Sequence, residues 1–234
     1  MLIMAALLAG VVTTLAGMGG GTLLVLVVAW WSGDPLQALS ATSLGLLAGN
    51  AHRTWMYRRS LHWRTVAPFA LGAFPAAVFA GWLVISLPTA WLKLLIAAFA
   101  AVAVAGVVLG WRIRPRPQAA VATGAVVGSV SATTGGGGIL AGPFFLATGL
   151  TGESYIVTAA VGAVAVHVGR LIGYGGGGAI NAEVLWLGLG FGVAIPVGNL
   201  IGKRLRPFLS KAGTARLEQG VAALLAALAL VNAV

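Results

Sequence analysis

Two runs of glycine interrupt segments that would otherwise read as unbroken apolar helices: "LAGMGGGTLL" at 15–24 and "ATTGGGGILA" at 132–141. Glycine is a poor residue for a helix interior. In a bilayer, irregular backbone survives only where protein or a wet cavity covers it. The rest of the chain leaves little choice of solvent. It is 59% hydrophobic and 8% charged, with a mean hydropathy of +1.00, whereas soluble domains carry about 25% charged residues. Too few polar groups exist to cover a water-facing surface. The sequence is that of an all-α polytopic membrane protein.

Six segments are long enough to span: roughly 37–57, 65–86, 90–111, 153–174, 183–203 and 212–233. The two glycine-broken units differ from these. Each has an apolar piece, a break and a shorter apolar piece: 1–16 then 22–32, and 118–133 then 139–149. The start, "MLIMAALLAG", lacks the basic region of a signal peptide and reads as the first membrane segment. A shift of 117 places Gly19, Gly20 and Gly21 on Gly136, Gly137 and Gly138, Gly45 on Gly162, and Arg53 on Arg170. The chain therefore reads as a duplication: a first repeat at 1–111, a basic linker at 112–117, and a second repeat at 118–234.

Charge orients the repeats. Twelve of the fourteen Lys and Arg residues fall in 53–64, 112–116 and 203–216, while the connections near 33–35, 87–89 and 175–182 carry none. The positive-inside bias puts the three basic regions in the cytoplasm. Eight full crossings would leave 203–216 on the opposite side from the other two. If each broken unit instead dips in and returns, all three share a side. The expected fold is thus two inverted repeats, each of three spanning helices plus a glycine-broken re-entrant hairpin, with eight spanning helices as the alternative.

Under that fold each glycine run is a hairpin tip, followed by a helix N-terminus expected at Thr22 and at Ile139. Free N–H groups and the positive end of the helix dipole favour an anion there. The candidate substrate-binding residues are Gly19, Gly20, Gly21 and Thr22 at the first break, and Thr133, Thr134, Gly135, Gly136, Gly137 and Gly138 at the second. Intramembrane polar residues add Thr42, Ser43, Asn50, His167 and Arg170. Asn50 and Arg53 lie one turn apart, as do His167 and Arg170. Arg53 reads as a residue snorkelling to the cytoplasmic interface, and Arg170 as a cation near the outer mouth. Hydroxyls of Ser131, Thr133 and Thr134 either line the site or bond back to helix carbonyls. The unpaired run at Gly175 to Gly178 reads as a loop.

Several function classes are excluded. There is no cysteine, so disulfides and thiol chemistry are absent. The acids are Asp34, Glu153, Glu183 and Glu218, with no carboxylate pair inside a span. No zinc-protease or nucleophile-elbow motif occurs. The chain reads as a non-enzyme with no cofactor and no metal. The net charge of +10 reflects topology rather than nucleic-acid binding. The partners are a small anion and the lipid bilayer; a homo-oligomer is compatible with the sequence.

The motifs "GMGGGTLLV" at 17–25, "DPLQALSATS" at 34–43, "YRRSLHWR" at 57–64 and "TTGGGGILAGP" at 133–143 resemble the TauE/SafE, or sulfite exporter, family of membrane transporters. The resemblance covers essentially the whole chain. It maps the family's glycines onto Gly19 to Gly21 and Gly135 to Gly138, and its Ala-Thr-Ser onto Ala41 to Ser43. The second half departs, with "TAAVG" at 158–162 in place of Ala-Thr-Ser. The resemblance implies export of sulfite or an organosulfonate across the cell inner membrane. An anion channel of the same architecture and a non-transport membrane protein are the competing readings.

Overall fold

The computed structural model describes residues 1–17, 19–108 and 119–209, together with Gly220 and Leu224. The linker at 112–117 and nearly all of the sixth expected span lie outside the described residues. The described chain is helical: α1 (Leu2–Ala16), α2 (Gly20–Ser32), α3 (Pro35–Tyr57), α4 (Trp63–Val84), α5 (Thr89–Val108), α6 (Ala120–Thr134), α7 (Gly137–Ala147), α8 (Gly152–Gly176) and α9 (Ala182–Leu205). Single 3-10 turns follow α3 and α9.

Local chemistry sets the ends. Asp34 caps α3, its Oδ1 accepting from Leu36 N at 2.8 Å, with Pro35 in the first turn where its missing N–H costs nothing. Asn181 caps α9 by accepting from Val184 N at 2.9 Å. Helices α1 and α6 end in left-handed glycines, Gly17 at φ 78° and Gly135 at φ 73°, where any side chain would be strained. Helices α2 and α7 then start at Gly20 and Gly137, capped by Gly19 and Gly136. The glycines are therefore the first helical residues, and the N-termini do not wait until Thr22 and Ile139. Likewise Gly175 and Gly176 belong to α8 rather than to a loop; with no Pro or charge to stop it, the helix runs on to the turn at Gly177–Gly178.

Among the described residues, three helices are long and apolar enough to cross a membrane: Trp63–Val84, Gly152–Gly176 and Ala182–Phe208. Helix α3, with 23 residues, has the length, but its buried Ser40, Thr42, Ser43, Asn50 and Arg53 lower its hydropathy. It is a polar-cored helix packed inside the bundle rather than a lipid-facing one. The helices of the broken units have 11 to 15 residues. At 1.5 Å per residue none reaches across a hydrocarbon core of about 30 Å.

Packing directions follow from contacts. Gly10 lies against Ile195 and Gly198, and Gly202 against Val11 and Thr14, so α1 and α9 are parallel. Gly45 meets Phe191, and Gly49 meets Ile195, so α3 is parallel to both. Gly169 meets Phe74 and Ala77, and Gly173 meets Val78 and Trp82, making α4 parallel to α8; Phe69 at Gly124 and Ala73 at Gly128 make α6 parallel to α4. Helices α3 and α8 run oppositely, since Arg170 reaches Leu39 while His62 N donates to Thr158. Small residues permit these close approaches. Each glycine break also turns the chain back. Gly20 abuts Ala9 and Thr13, and Gly137 abuts Ser131 and Val127, so α2 and α7 begin beside their preceding helices.

Two cores result. One joins Leu24, Val28, Leu46, Phe191 and Ile195 of α2, α3 and α9, with Ala6 and Ala9 of α1. The other joins Phe69, Val127, Phe144, Phe145 and Val166 of α4, α6, α7 and α8. Helices α4 and α9 have changed places: each packs with the other half. The exterior fits a bilayer. The described tryptophans Trp30, Trp31, Trp55, Trp63, Trp82, Trp91 and Trp186 are all exposed and all near helix ends, where interfacial rings belong. Lys203 Nζ lies 5.4 Å over the Tyr57 ring, so the basic segments at 57–64 and 203–208 share one end of the molecule.

Candidate functional site

The hairpins place both breaks on one cavity between α3 and α8. Its walls include Gly19, Gly21 and Thr22 of the first break and Gly135, Gly137 and Gly138 of the second. Asn50, Arg53 and His167 complete the polar part; Leu46, Phe69 and Val166 supply apolar wall. The empty space is about 720 Å³, including its open mouth. Thr22 Oγ1 donates to Gly135 O at 3.5 Å, tying the breaks together. Two helix N-termini thus converge on one cavity, and α2 and α7 each leave their first N–H groups outside the helical ladder.

Arg53 is the side chain that sequence reading misplaced. It does not snorkel: it is 7% exposed and lines the cavity. Its Nη1 donates to Thr13 O at 3.1 Å, and Nη2 bonds Asn50 Oδ1. Its Nε makes no hydrogen bond among the described residues. The signal that could have found it was the spacing it shares with Arg170. Thr13 also lines the cavity and fell outside the expected site, and Ser131, expected either to line the site or to bond back to the helix, lines it.

Arg170 is not at a mouth. It is wholly enclosed, with 0% exposure. Nη2 donates to Leu39 O at 3.0 Å, Nε donates to Tyr174 Oη at 3.2 Å, and Nη1 lies 3.4 Å from His167 Nδ1. Tyr174 in turn donates to Ala132 O at 2.6 Å, at the end of α6. No ion pair joins either arginine to a carboxylate among the described residues. A buried cation without a counter-charge is costly.

The remaining predicted residues divide. Thr42 and Ser43 are buried away from the cavity, donating to Ala38 O at 2.7 Å and Leu39 O at 2.5 Å. Thr133 and Thr134 bond back to Ser129 O and Val130 O. Gly20 and Gly136 are packing positions, where a Cβ would strike Ala9 O and the Phe99 ring. Gly138 differs: it lines the cavity and a Cβ there would meet nothing within 4 Å.

Short helix pairs turned at glycine, packed among longer apolar helices around a cavity bordered by Arg53, are the architecture of a polytopic membrane protein. The particular family follows from the whole sequence. The family model "Sulfite exporter TauE/SafE" matches residues 2–231, and the chain belongs to that family. No curated protein and no solved structure matches the chain. The TauE/SafE proteins are membrane transporters rather than enzymes, and this chain is a membrane transporter of that family.

Proposed function

We propose that the chain is a carrier exporting a small oxyanion, sulfite or an organosulfonate, across the cell inner membrane by alternating access. The single observation that carries this is the cavity: both glycine breaks, Arg53 and His167 face it together. An oxyanion there gains N–H groups from two helix N-termini and the positive charge of the Arg53 guanidinium. Residues 1–111 and 118–234 serve as inverted repeats, and each broken unit is a re-entrant hairpin. Support comes from direction: α1, α3 and α9 run one way, and their counterparts α6, α8 and α4 run the other. The enclosed Arg170 favours a carrier over an open channel, because space near Arg53 is not matched near Arg170.

The deciding experiment is counterflow in proteoliposomes with sulfite, sulfate, thiosulfate and sulfonates. A carrier gives saturable, substrate-stimulated counterflow with one of these anions. Voltage-driven current without counterflow would make the protein a channel. Single cysteines at Ser60 and Phe208 report the topology: both should be labelled from the cytoplasmic face only, and labelling from opposite faces would return the eight-span fold.

A further inference from the structure

The duplicated arginines sit in a duplicated motif. Arg53 is followed four residues later by Tyr57, and Arg170 by Tyr174. The two copies are in different states. In the second, Arg170 Nε donates to Tyr174 Oη, and Tyr174 donates onward to Ala132 O. In the first, Arg53 Nε has no partner, and Tyr57 lies instead beneath Lys203 at the end of α9. The bonded copy lies where the protein is solid, and the unbonded copy lines the cavity.

Around the bonded copy, donors crowd onto one oxygen. Leu39 O accepts from Arg170 Nη2 at 3.0 Å and Ser43 Oγ at 2.5 Å, while Thr42 Oγ1, 3.3 Å away, gives its one proton to Ala38 O at 2.7 Å. A carbonyl has two lone pairs, so these two side-chain donors, one of them charged, saturate it. Released from that carbonyl, the same donors would hold an oxyanion. The positions also match. The shift of 117 places Thr42 and Ser43 on Ala159 and Ala160, which line the open cavity.

We propose that Arg170, Thr42 and Ser43 form a second, closed oxyanion site, and that Tyr174 is the latch keeping it closed. In the opposite state the Arg170–Tyr174 bond is broken and Thr42 and Ser43 line the space, while Arg53 closes onto Tyr57. The proposal rests on the anion-carrier reading above.

The test uses the natural absence of cysteine. Ala159→Cys reports the open cavity and Thr42→Cys its closed counterpart. Each is placed in the otherwise native chain and in a Tyr174→Phe background, and labelling by N-ethylmaleimide is followed in detergent without any anion. Tyr174→Phe keeps the ring and deletes the hydroxyl. Loss of about 1 kcal/mol of hydrogen bonding changes a two-state ratio about fivefold. Labelling at Thr42→Cys should therefore rise about fivefold, and labelling at Ala159→Cys should fall. A rise at both sites would mean simple loosening, and no change at either would mean no latch; both outcomes overturn the proposal. Because no anion is present, the result is separable from transport. A native chain that gives no counterflow with any oxyanion would sink the carrier reading while leaving the labelling outcome intact.

Discussion

The Arg53 and Arg170 ends of the α3–α8 pair are built from the same spacing yet are physically opposite. At the Arg53 end the guanidinium borders the cavity, with one enclosed nitrogen unpartnered. At the Arg170 end the guanidinium is enclosed and all three nitrogens have neighbours at hydrogen-bonding range. Apolar walls differ in the same sense: Leu23, Leu39, Ile96 and the Tyr174 ring pack solidly in one core beside the second arginine. The same Arg-to-Tyr spacing therefore stands in two different surroundings. For a carrier this is the expected asymmetry, since one side must be closed while the other is open.

The largest effects should come from the arginines, and they should differ in kind. Arg53→Gln removes a charged donor from the cavity, worth about 1.5–3 kcal/mol, which is on the order of ten- to a hundredfold in anion affinity. Counterflow should fall by that amount, and Tm should fall less than for Arg170→Gln, because Thr13 O keeps its Gly17 N–H donor and Asn50 borders the cavity. Arg170→Gln leaves Leu39 O and Tyr174 Oη without their charged donor, so Tm should fall as well as transport. Equal Tm losses in both variants would erase the contrast. Arg53→Lys should recover part of the Arg53→Gln loss, because a point charge remains while the planar fork is gone.

Adjacent glycines offer a sharper comparison with a smaller effect. At Gly137 an added Cβ would stand 2.5 Å from Ser131 Cβ and 2.9 Å from its Oγ, an overpacking of about 1–3 kcal/mol. Gly137→Ala should lower Tm and yield. Gly138→Ala meets no atom, so it should fold normally and reduce anion affinity only by narrowing the cavity. Identical Tm losses in the two variants would place Gly138 among the packing glycines.

The smallest effect concerns the hydroxyls. Thr42→Val deletes a donor to Ala38 O in a closed region. It should change steady-state counterflow by about fivefold or less, whereas Ala159→Thr, which adds a hydroxyl to the open wall, should leave Tm unchanged. A Tm loss for Ala159→Thr larger than that for Thr42→Val would reverse the assignment of open and closed ends.

Much of this was legible in the sequence, and the misses have physical causes. The glycine runs, the duplicated arginines and the charge asymmetry announced broken helices at matching places, because glycine and charge are rare enough in apolar segments to carry information. Helix starts were misjudged by two residues, since the first turn of a helix tolerates glycine when its N–H groups need no helical partner. Arg53 was read as snorkelling because composition cannot tell an arginine near a basic loop from one turned inward against Thr13 and Asn50. The exchange of α4 and α9 between the two bundles was invisible, as their apolar patterns fit either neighbour equally. Most of all, one sequence pattern gives no hint that its two copies would differ in state.

The central claim is that the anion passes through the cavity between the two glycine breaks. Gly138→Cys tests it most directly, because that position faces the cavity and its side chain would touch nothing else. The variant is reconstituted and assayed for sulfite counterflow before and after reaction with N-ethylmaleimide, with excess reagent quenched, and the cysteine-free native chain treated alongside. The account predicts that the unmodified variant transports and that the modified one does not, while the native chain is indifferent to the reagent. Full counterflow by a completely modified Gly138→Cys protein would place the anion's route elsewhere.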